Sequence, residues 1–550
     1  MLHEASFSTQ TLSIKLADGD SYVAERIQSQ IIDDVSFTWS GRLKGGASGY
    51  LTFAKVQDVV RGTLTIFGGK AYNFKGTAKD LTFEEVVKIA ECGGCSVHQE
   101  SVIPRDPRMG AQPEINWKNG DANLIDLLFV YPDEVTAQEG SDANVRAAIH
   151  SAVADSNLCL RNSLVSSQFR VVHMEEVTYD PTGDLDTDLS RLKDSTDGFM
   201  DNVHTLRNTH GADIVCMLTT DGGNLGGLAS TLTYPSLDFA EHAFNVNVIS
   251  QIGAPSYTLA HEIGHNLGCL HNREDVNSSR DYSNYDFAAF CYGKRWETGG
   301  NAYRTVMSYN ATPPNYQKLP YFSNPSVFYE GVATGNAGSE NNAKVLQISS
   351  AYAANFRQSV VQSILPSQFS ISVDEGNFTS FGVRLGVKPV SAVTVALNLS
   401  GDSDLMLGSQ STLSFDASNW SLYQTVTVVG ANDVDEVNGS ASLTFSAEGI
   451  TSQLVDVAEK DSGNNSQTEY FFSGIVVNSY GVGIAGAQIN FPGVGVSQTN
   501  EDGAFYISLP NGWSGAASIS AAGYTFSPAS HTINSLSAHS LGFISQGTLT

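Results

Sequence analysis

Hydrophobic and polar positions change rhythm along the chain. In residues 1–100, short runs such as SFTWS (36–40), GYLTFA (49–54) and VRGTLTIFGGKAYNF (60–74) alternate with period two and break at Gly-rich turns. That pattern predicts a β-meander. Residues 101–120 hold three prolines and no periodicity, and read as a linker. From 121 the pattern alternates between strand and helix. LIDLLFVY (124–131), FRVVHMEEV (169–177) and ADIVCMLTT (212–220) are apolar runs suited to buried strands. Ser141 caps a helix carrying Val145, Ile149, Val153 and Leu160 on one face, and further helical pieces carry Leu185, Leu189 and Leu192, then Met200, Val203 and Leu206. GGLASTLT (226–233) and FNVNVIS (244–250) add two strands. This order predicts an α/β layer around one mostly parallel sheet. Beyond residue 360 only short alternating strands recur, the rhythm of a β-sandwich, and the polar stretch KDSGNNSQ (460–467) divides them into two units.

Composition narrows the partners. The chain has 550 residues, room for three or four domains at ~100–200 residues each. It carries 57 acidic and 30 basic residues, a net charge of −27, with only 16 % charged residues in all. Such a balance excludes nucleic acid as a partner, since neutralising phosphates needs Lys and Arg. No run approaches the ~18 apolar residues of a transmembrane helix. Residues 361–550 hold 3 basic against 15 acidic residues, so much of the acidity lies on the sandwich modules. The start, MLHEASFSTQ, shows no signal-peptide pattern, so an exported protein would have had its signal removed before this numbering begins.

The chemistry concentrates in SYTLAHEIGHNLGCLHNRED (256–275). His261 and His265 are four apart, ~40° from one another on a helix face, so two imidazoles can grip one ion. Glu262 lies a quarter turn away, near enough to bond a water without ligating. Gly268 can end the helix with positive φ and let His271 swing back as a third ligand; Ser256 is the expected N-cap. Three neutral imidazoles leave a fourth position open on Zn²⁺, as a catalytic site requires. Glu262 is then the expected general base and acid.

The pattern HExxHxxGxxH resembles that of the metzincin metalloproteases. A second hallmark of that family stands at RTVMSYN (304–310), where Met307 matches the Met turn beneath the zinc and Tyr309 matches the oxyanion-stabilising Tyr of astacins and serralysins. Residues 121–358 are most similar to the bacterial reprolysin-like group, which includes peptidyl-Asp metallopeptidases; NLIDLLFVYPDEV, HEIGHNLGCLH, YRTVMSY and LPYFSNP carry the likeness. One departure is Asn272, where reprolysins have Asp. The resemblance implies an edge strand at GGLAST (226–231) that pairs with substrate, and an S1′ pocket lined by LPYFSN (319–324). It also implies that residues 1–100 form a propeptide-like domain. Residues 366–459 resemble Calx-β-like sandwiches, whose acidic loops can bind Ca²⁺, here Asp433, Asp435 and Glu436. Residues 468–550 resemble carboxypeptidase-regulatory-like domains.

All six cysteines lie at or before Cys291. Cys269–Cys291 would brace the loop bearing His271, and Cys159–Cys216 could pair across the layer; buried free thiols are the alternative for each. Cys92 and Cys95 form a local disulfide or a cysteine switch over the zinc.

The expected architecture is multidomain α+β: a β-rich propeptide-like domain (1–100), a linker (101–120), a metzincin α/β catalytic domain with a mixed, mostly parallel sheet (121–360), and two β-sandwiches (366–459 and 468–550). The expected activity is that of a secreted zinc endopeptidase acting on protein and peptide substrates, with cell-surface or matrix binding through the sandwiches. The alternative is a surface adhesion protein with a secondary or inactive metzincin domain, motivated by the share of the chain given to sandwich modules.

Overall fold

The computed structural model describes residues 6–16, 19–33, 35–86, 123–275, 287–311, 314–431, 437–461, 469–479, 482–500, 503–510, 512–534 and 540–549. Cys92, Cys95, Asp433, Asp435 and Glu436 lie outside these described residues. Two units emerge, Met1–Val361 and Gln362–Thr550.

The period-two alternation of the first unit folds as seven strands, β1 (Thr11–Lys15), β2 (Ser21–Ile31), β3 (Phe37–Leu43), β4 (Gly49–Val56), β5 (Val59–Ile66), β6 (Ala71–Thr77) and β7 (Asp80–Glu85). Each pairs antiparallel with the next, in the order β1 to β7. One face buries Trp39, Phe53, Leu64 and Phe74. The other carries Ser40, Thr52, Thr63 and Thr65, and these hydroxyl residues are buried as well.

The burial of that second face comes from the α/β layer. Its elements are β8 (Asn123–Tyr131), α1 (Asp133–Glu139), α2 (Asp142–Asn162), β9 (Ser167–Glu176), α3 (Leu185–Lys193), α4 (Asn202–His210), β10 (Ile214–Thr219), β11 (Gly227–Ala229), β12 (Phe244–Val248), α5 (Thr258–Asn266) and α6 (Asn342–Ala353). The sheet order is β11-β12-β10-β8-β9. Four strands run parallel, and β11 lies antiparallel at the edge. On one face Ile125, Phe129, Val153, Ile263 and Leu346 pack together; on the other Leu128, Val130, Leu189, Val203 and Met217 do. Apolar side chains on both faces are why β8 and β10 read as continuous apolar runs. Ser141 caps α2, its hydroxyl accepting from the Asn144 N–H at 3.2 Å.

Helix α2 lies against β3, β4 and β5. The Gln28 side chain donates to the Ala154 carbonyl at 2.9 Å, and the Thr63 hydroxyl donates to the Ala254 carbonyl at 3.3 Å. The Tyr50 and Tyr321 hydroxyls meet at 3.1 Å in a buried contact. Arg61 forms an ion pair with Glu139, whose side chain is only 5 % exposed. The first sheet, expected as a domain of its own, therefore shares one unit with the α/β layer. It grips α2, the loop ahead of α5 and the segment near Tyr321. α2 offers a face of Ala148, Ser151, Ala152 and Asp155, and small side chains there let a sheet of Thr and Ser approach closely.

In the second unit a four-stranded and a five-stranded sheet span residues 364–460 and enclose Val383, Phe415, Val428, Phe445 and Val455. Two four-stranded sheets follow over 469–549, around Phe491, Phe505 and Ile519.

Replacing Arg61 by Ala leaves the buried Glu139 carboxylate without its cation, and removal of one partner of a buried pair costs about 3 kcal/mol or more. Urea denaturation of Arg61→Ala is expected to show a loss of that order in the transition of the first unit, with most of it restored in Arg61→Met/Glu139→Leu.

Candidate active site

The active helix α5 begins differently from the sequence expectation. Its N-cap is Tyr257, held at φ 52 with its side chain buried, and no side chain caps the helix. Ser256, the expected cap, instead donates its hydroxyl to Gln251 Oε1 at 2.8 Å. A left-handed residue at the entry turns the preceding side chain away from the helix N–H groups. The end of α5 follows expectation. Gly268 sits at φ 93, its N–H bonds the His265 carbonyl at 2.9 Å, and the Cys269 N–H reaches the Gly264 carbonyl at 2.8 Å. This double closure is a Schellman motif, which needs a residue free to take positive φ. The chain then runs back beside Tyr292, with the Leu270 N–H on the Cys291 carbonyl at 2.7 Å, and delivers His271.

The three imidazoles converge. Nε2 of His261 lies 3.0 Å from Nε2 of His271 and 3.2 Å from that of His265, and the last two are 3.1 Å apart. Backbone carbonyls set the tautomers: His261 Nδ1 faces the Val306 carbonyl at 2.9 Å, and His265 Nδ1 faces the Cys269 carbonyl at 2.8 Å. Each Nδ1 must then carry the proton, so the Nε2 atoms of both residues present lone pairs to the common centre. Converging lone pairs in a buried pocket repel unless a cation sits between them. Tetrahedral nitrogen ligands at ~2.0–2.1 Å from Zn²⁺ lie roughly 3.3 Å apart, so the tripod fits that ion. Burial and the neighbouring imidazoles hold His261 well below its ordinary pKa, and burial takes His265 down to about 4, leaving both neutral and ready to ligate.

Glu262 is fully buried beside the tripod. Edge strand β11 closes on it: a Cβ at Gly227 would lie 2.8 Å from Glu262 Oε1. Beneath the helix, a Cβ at Gly264 would lie 2.6 Å from Met307 Sδ. Met307 is thus the floor of the site, and the residue before it supplies the carbonyl that orients His261. The Tyr309 ring lies over His271 with centroids 3.9 Å apart. The Tyr309 N–H donates to Asn272 Oδ1 at 2.9 Å, while Asn272 Nδ2 donates to Glu274 and Asp275 at 2.7 and 2.8 Å. Asn272 therefore ties the third-ligand loop to the Met turn, which requires an acceptor that either Asn or Asp can provide. The roles of Asn272, Gly227 and Gly264 escape sequence reasoning, because each depends on a partner far along the chain.

Leu319, Tyr321 and Phe322, in the stretch expected to line a substrate pocket, are buried. Phe322 lies beside Gly264, and Tyr321 turns toward Tyr50. Among the described residues neither Cys269–Cys291 nor Cys159–Cys216 is joined by a disulfide. The Cys269 thiol points at the Asn342 carbonyl (3.9 Å) instead. Cys159 lies near Asp155 and Lys318, and Cys216 beside Asn245, so the two sit in different surroundings. Burial pushes the Cys216 thiol up to about 12 and raises Cys159 and Cys269 as well, which keeps all three protonated and unreactive. In the second unit Asp402, Asp404 and Glu459 bring three carboxylate oxygens within 4.8 Å of one another. That grouping, too, depends on positions far apart in sequence.

A histidine tripod with a buried glutamate, a Met floor and an antiparallel edge strand beside the active helix define a zinc metallopeptidase of the metzincin class. Residues 121–323 match the reprolysin-type family described as metallo-peptidase family M12. Over 307 residues the chain is 31 % identical to a peptidyl-Asp metalloendopeptidase of Xanthomonas campestris, covering 54 % of this chain and 68 % of that protein. It is 35 % identical over 243 residues to a protein of the same name from Stenotrophomonas maltophilia, covering 44 % of this chain and 54 % of the relative. The chain thus spans between about half and two thirds of the length of these curated relatives. It belongs to the M12 metallopeptidases, as a bacterial reprolysin-like metzincin, and is a zinc metalloendopeptidase.

Two outcomes follow from the geometry. Gly227→Ala forces the Glu262 carboxylate aside, so kcat is expected to fall at least tenfold while zinc content, read by atomic emission, stays at one per chain. In chelator-treated protein, the unfolded chain takes up protons on His261 and His265 below about pH 6.5, whereas burial keeps His265 neutral in the folded chain down to about pH 4 and holds His261 well below its ordinary range. Their contribution to stability is therefore complete above pH 6.5 and is lost as pH falls toward 4. Urea midpoints measured across that window should decline; midpoints independent of pH would contradict the burial of neutral imidazoles.

Proposed function

We propose that the chain is an exported endopeptidase that cuts internal bonds of polypeptides, with Glu262 as general base and then general acid. The observation that carries this reading is the convergence of three Nε2 atoms within 3.0–3.2 Å beside a fully buried carboxylate. Zinc held by His261, His265 and His271 supplies Lewis-acid chemistry that acidifies water and polarises a carbonyl. Glu262, carried on α5 and packed against Gly227, accepts the proton from the attacking water and delivers it to the leaving amine. The Tyr309 hydroxyl, carried on a ring seated over His271, is the group that steadies the developing oxyanion. Strand β11 offers its free edge to an extended peptide, which gives affinity through backbone hydrogen bonds and asks little of side chains.

The acidic composition suits a protein that stays in solution outside the cell. Among the described residues no helix is long and apolar enough to cross a membrane. The name shared by these relatives, peptidyl-Asp metalloendopeptidase, makes bonds next to aspartate the first to examine.

Glu262→Gln is expected to retain zinc and fold while losing at least a thousandfold in kcat/KM on a casein-derived peptide. Activity within threefold of wild type would overturn the assigned role. Mass spectrometry of a proteome digested by the wild type reads cleavage and the flanking residues together; enrichment of Asp beside the cut is the expected result, and an even distribution would remove the aspartate preference.

A further inference from the structure

Three asparagines are buried side by side where an apolar core would serve. Asn245, Asn247 and Asn266 are all 0 % exposed. Asn266 lies one turn beyond Glu262 on the same face of α5, and its Nδ2 donates to the Ser230 carbonyl at 2.8 Å and the Phe244 carbonyl at 3.0 Å. Its Oδ1 accepts from Asn245 Nδ2 at 2.8 Å, and Asn245 Oδ1 accepts from Asn247 Nδ2 at 2.6 Å. The last member, Asn247 Oδ1, is buried without a hydrogen-bond partner. Asn247 stands directly opposite Gly227 in the antiparallel pair, so its side chain shares the face on which Gly227 meets Glu262. The ladder thus starts at the far end of the edge strand and finishes beside the catalytic carboxylate.

Stability does not account for this arrangement. An unpaired buried acceptor is costly, and exchanging hydrogen-bonded partners for apolar groups of the same shape is often neutral or stabilising. What a chain of hydrogen bonds provides, and greasy packing does not, is a fixed register: Asn266 holds one carbonyl from each of two chain segments, and α5 cannot slide along the sheet edge without breaking both. The Leu232 N–H on the His265 carbonyl at 3.0 Å pins the same junction from the other side.

We propose that Asn245, Asn247 and Asn266 are positioning residues that set edge strand β11 against Glu262 and the zinc ligands, so that a peptide paired to that edge presents its scissile carbonyl to the metal. This inference rests on the endopeptidase reading. The ladder acts through the strand and the glutamate and touches neither substrate nor metal.

The test compares full-length, zinc-loaded wild type with Asn247→Leu and Asn245→Leu/Asn247→Leu on a ten-residue peptide, with melting temperature and zinc content measured alongside. The expected result is at least a tenfold loss in kcat/KM, with KM raised and kcat lowered, at a melting temperature within a few degrees of wild type and unchanged zinc. Unchanged kcat and KM per zinc-loaded molecule overturn the proposal, and so does a lowered melting temperature with unchanged kinetics, which would mark a merely structural role. Asn247→Leu removes the terminal rung and its unpaired acceptor and leaves Asn245 Oδ1 as the unpaired acceptor in its place, so it costs the fold little and keeps the test decisive if the double variant fails to fold. A wild type that cleaves no peptide sinks the endopeptidase reading and this inference with it, and is distinguished by needing no variant.

Discussion

Three imidazole Nε2 atoms converging on one point in a buried pocket form the constraint around which the first unit is arranged. Such a pocket is unfavourable without a cation, so everything around it serves to hold the rings in place. The Val306 and Cys269 carbonyls orient two of them, and the return of the chain after Gly268 places the third. Each anchor belongs to a different segment. The tripod therefore exists only when the Met turn, the helix end and the strand-like segment at Leu270 are assembled together.

Close approach of backbone to side chain recurs around that pocket. Gly264 lets Met307 rise beneath the helix, and Gly227 lets Glu262 rest against the edge strand. Both glycines trade conformational freedom for proximity, since any side chain would push a catalytic element away. Asn272 performs the corresponding service by hydrogen bond, joining the loop after the third ligand to the Tyr309 backbone.

Support extends outward through the first sheet. Its hydroxyl-rich face is buried on the small side chains of α2, and its contacts fall on Ala154, Ala254 and Tyr321. Ala254 belongs to the loop that leads into the active helix, where the Asp155 carboxylate on α2 also accepts the Ala254 N–H at 2.8 Å. Burial pushes that carboxylate up to about 7. The residues that enter the active helix are thus held from two directions, and the seven-stranded sheet is part of the framework of the catalytic layer.

Much of this protein is legible along the chain. Alternation of apolar positions marks the meander, the apolar runs mark β8 and β10, and the spacing of His261, Glu262 and His265 is local enough for helix geometry alone to bring two ligands and the carboxylate together, with Gly268 marking where the chain turns back toward His271. What only the tertiary structure decides are the contacts between distant segments. The left-handed Tyr257 at the helix start replaces the Ser256 cap, because the buried ring and the incoming loop set the backbone there. Cys269 and Cys291 remain thiols although a bridge looks plausible from spacing. The asparagine ladder reads in sequence as ordinary alternation in FNVNV, yet its meaning comes from the helix laid across it. Local periodicity follows from bond geometry and is written into consecutive residues, whereas the packing of one element on another depends on side chains that meet only after the chain has folded.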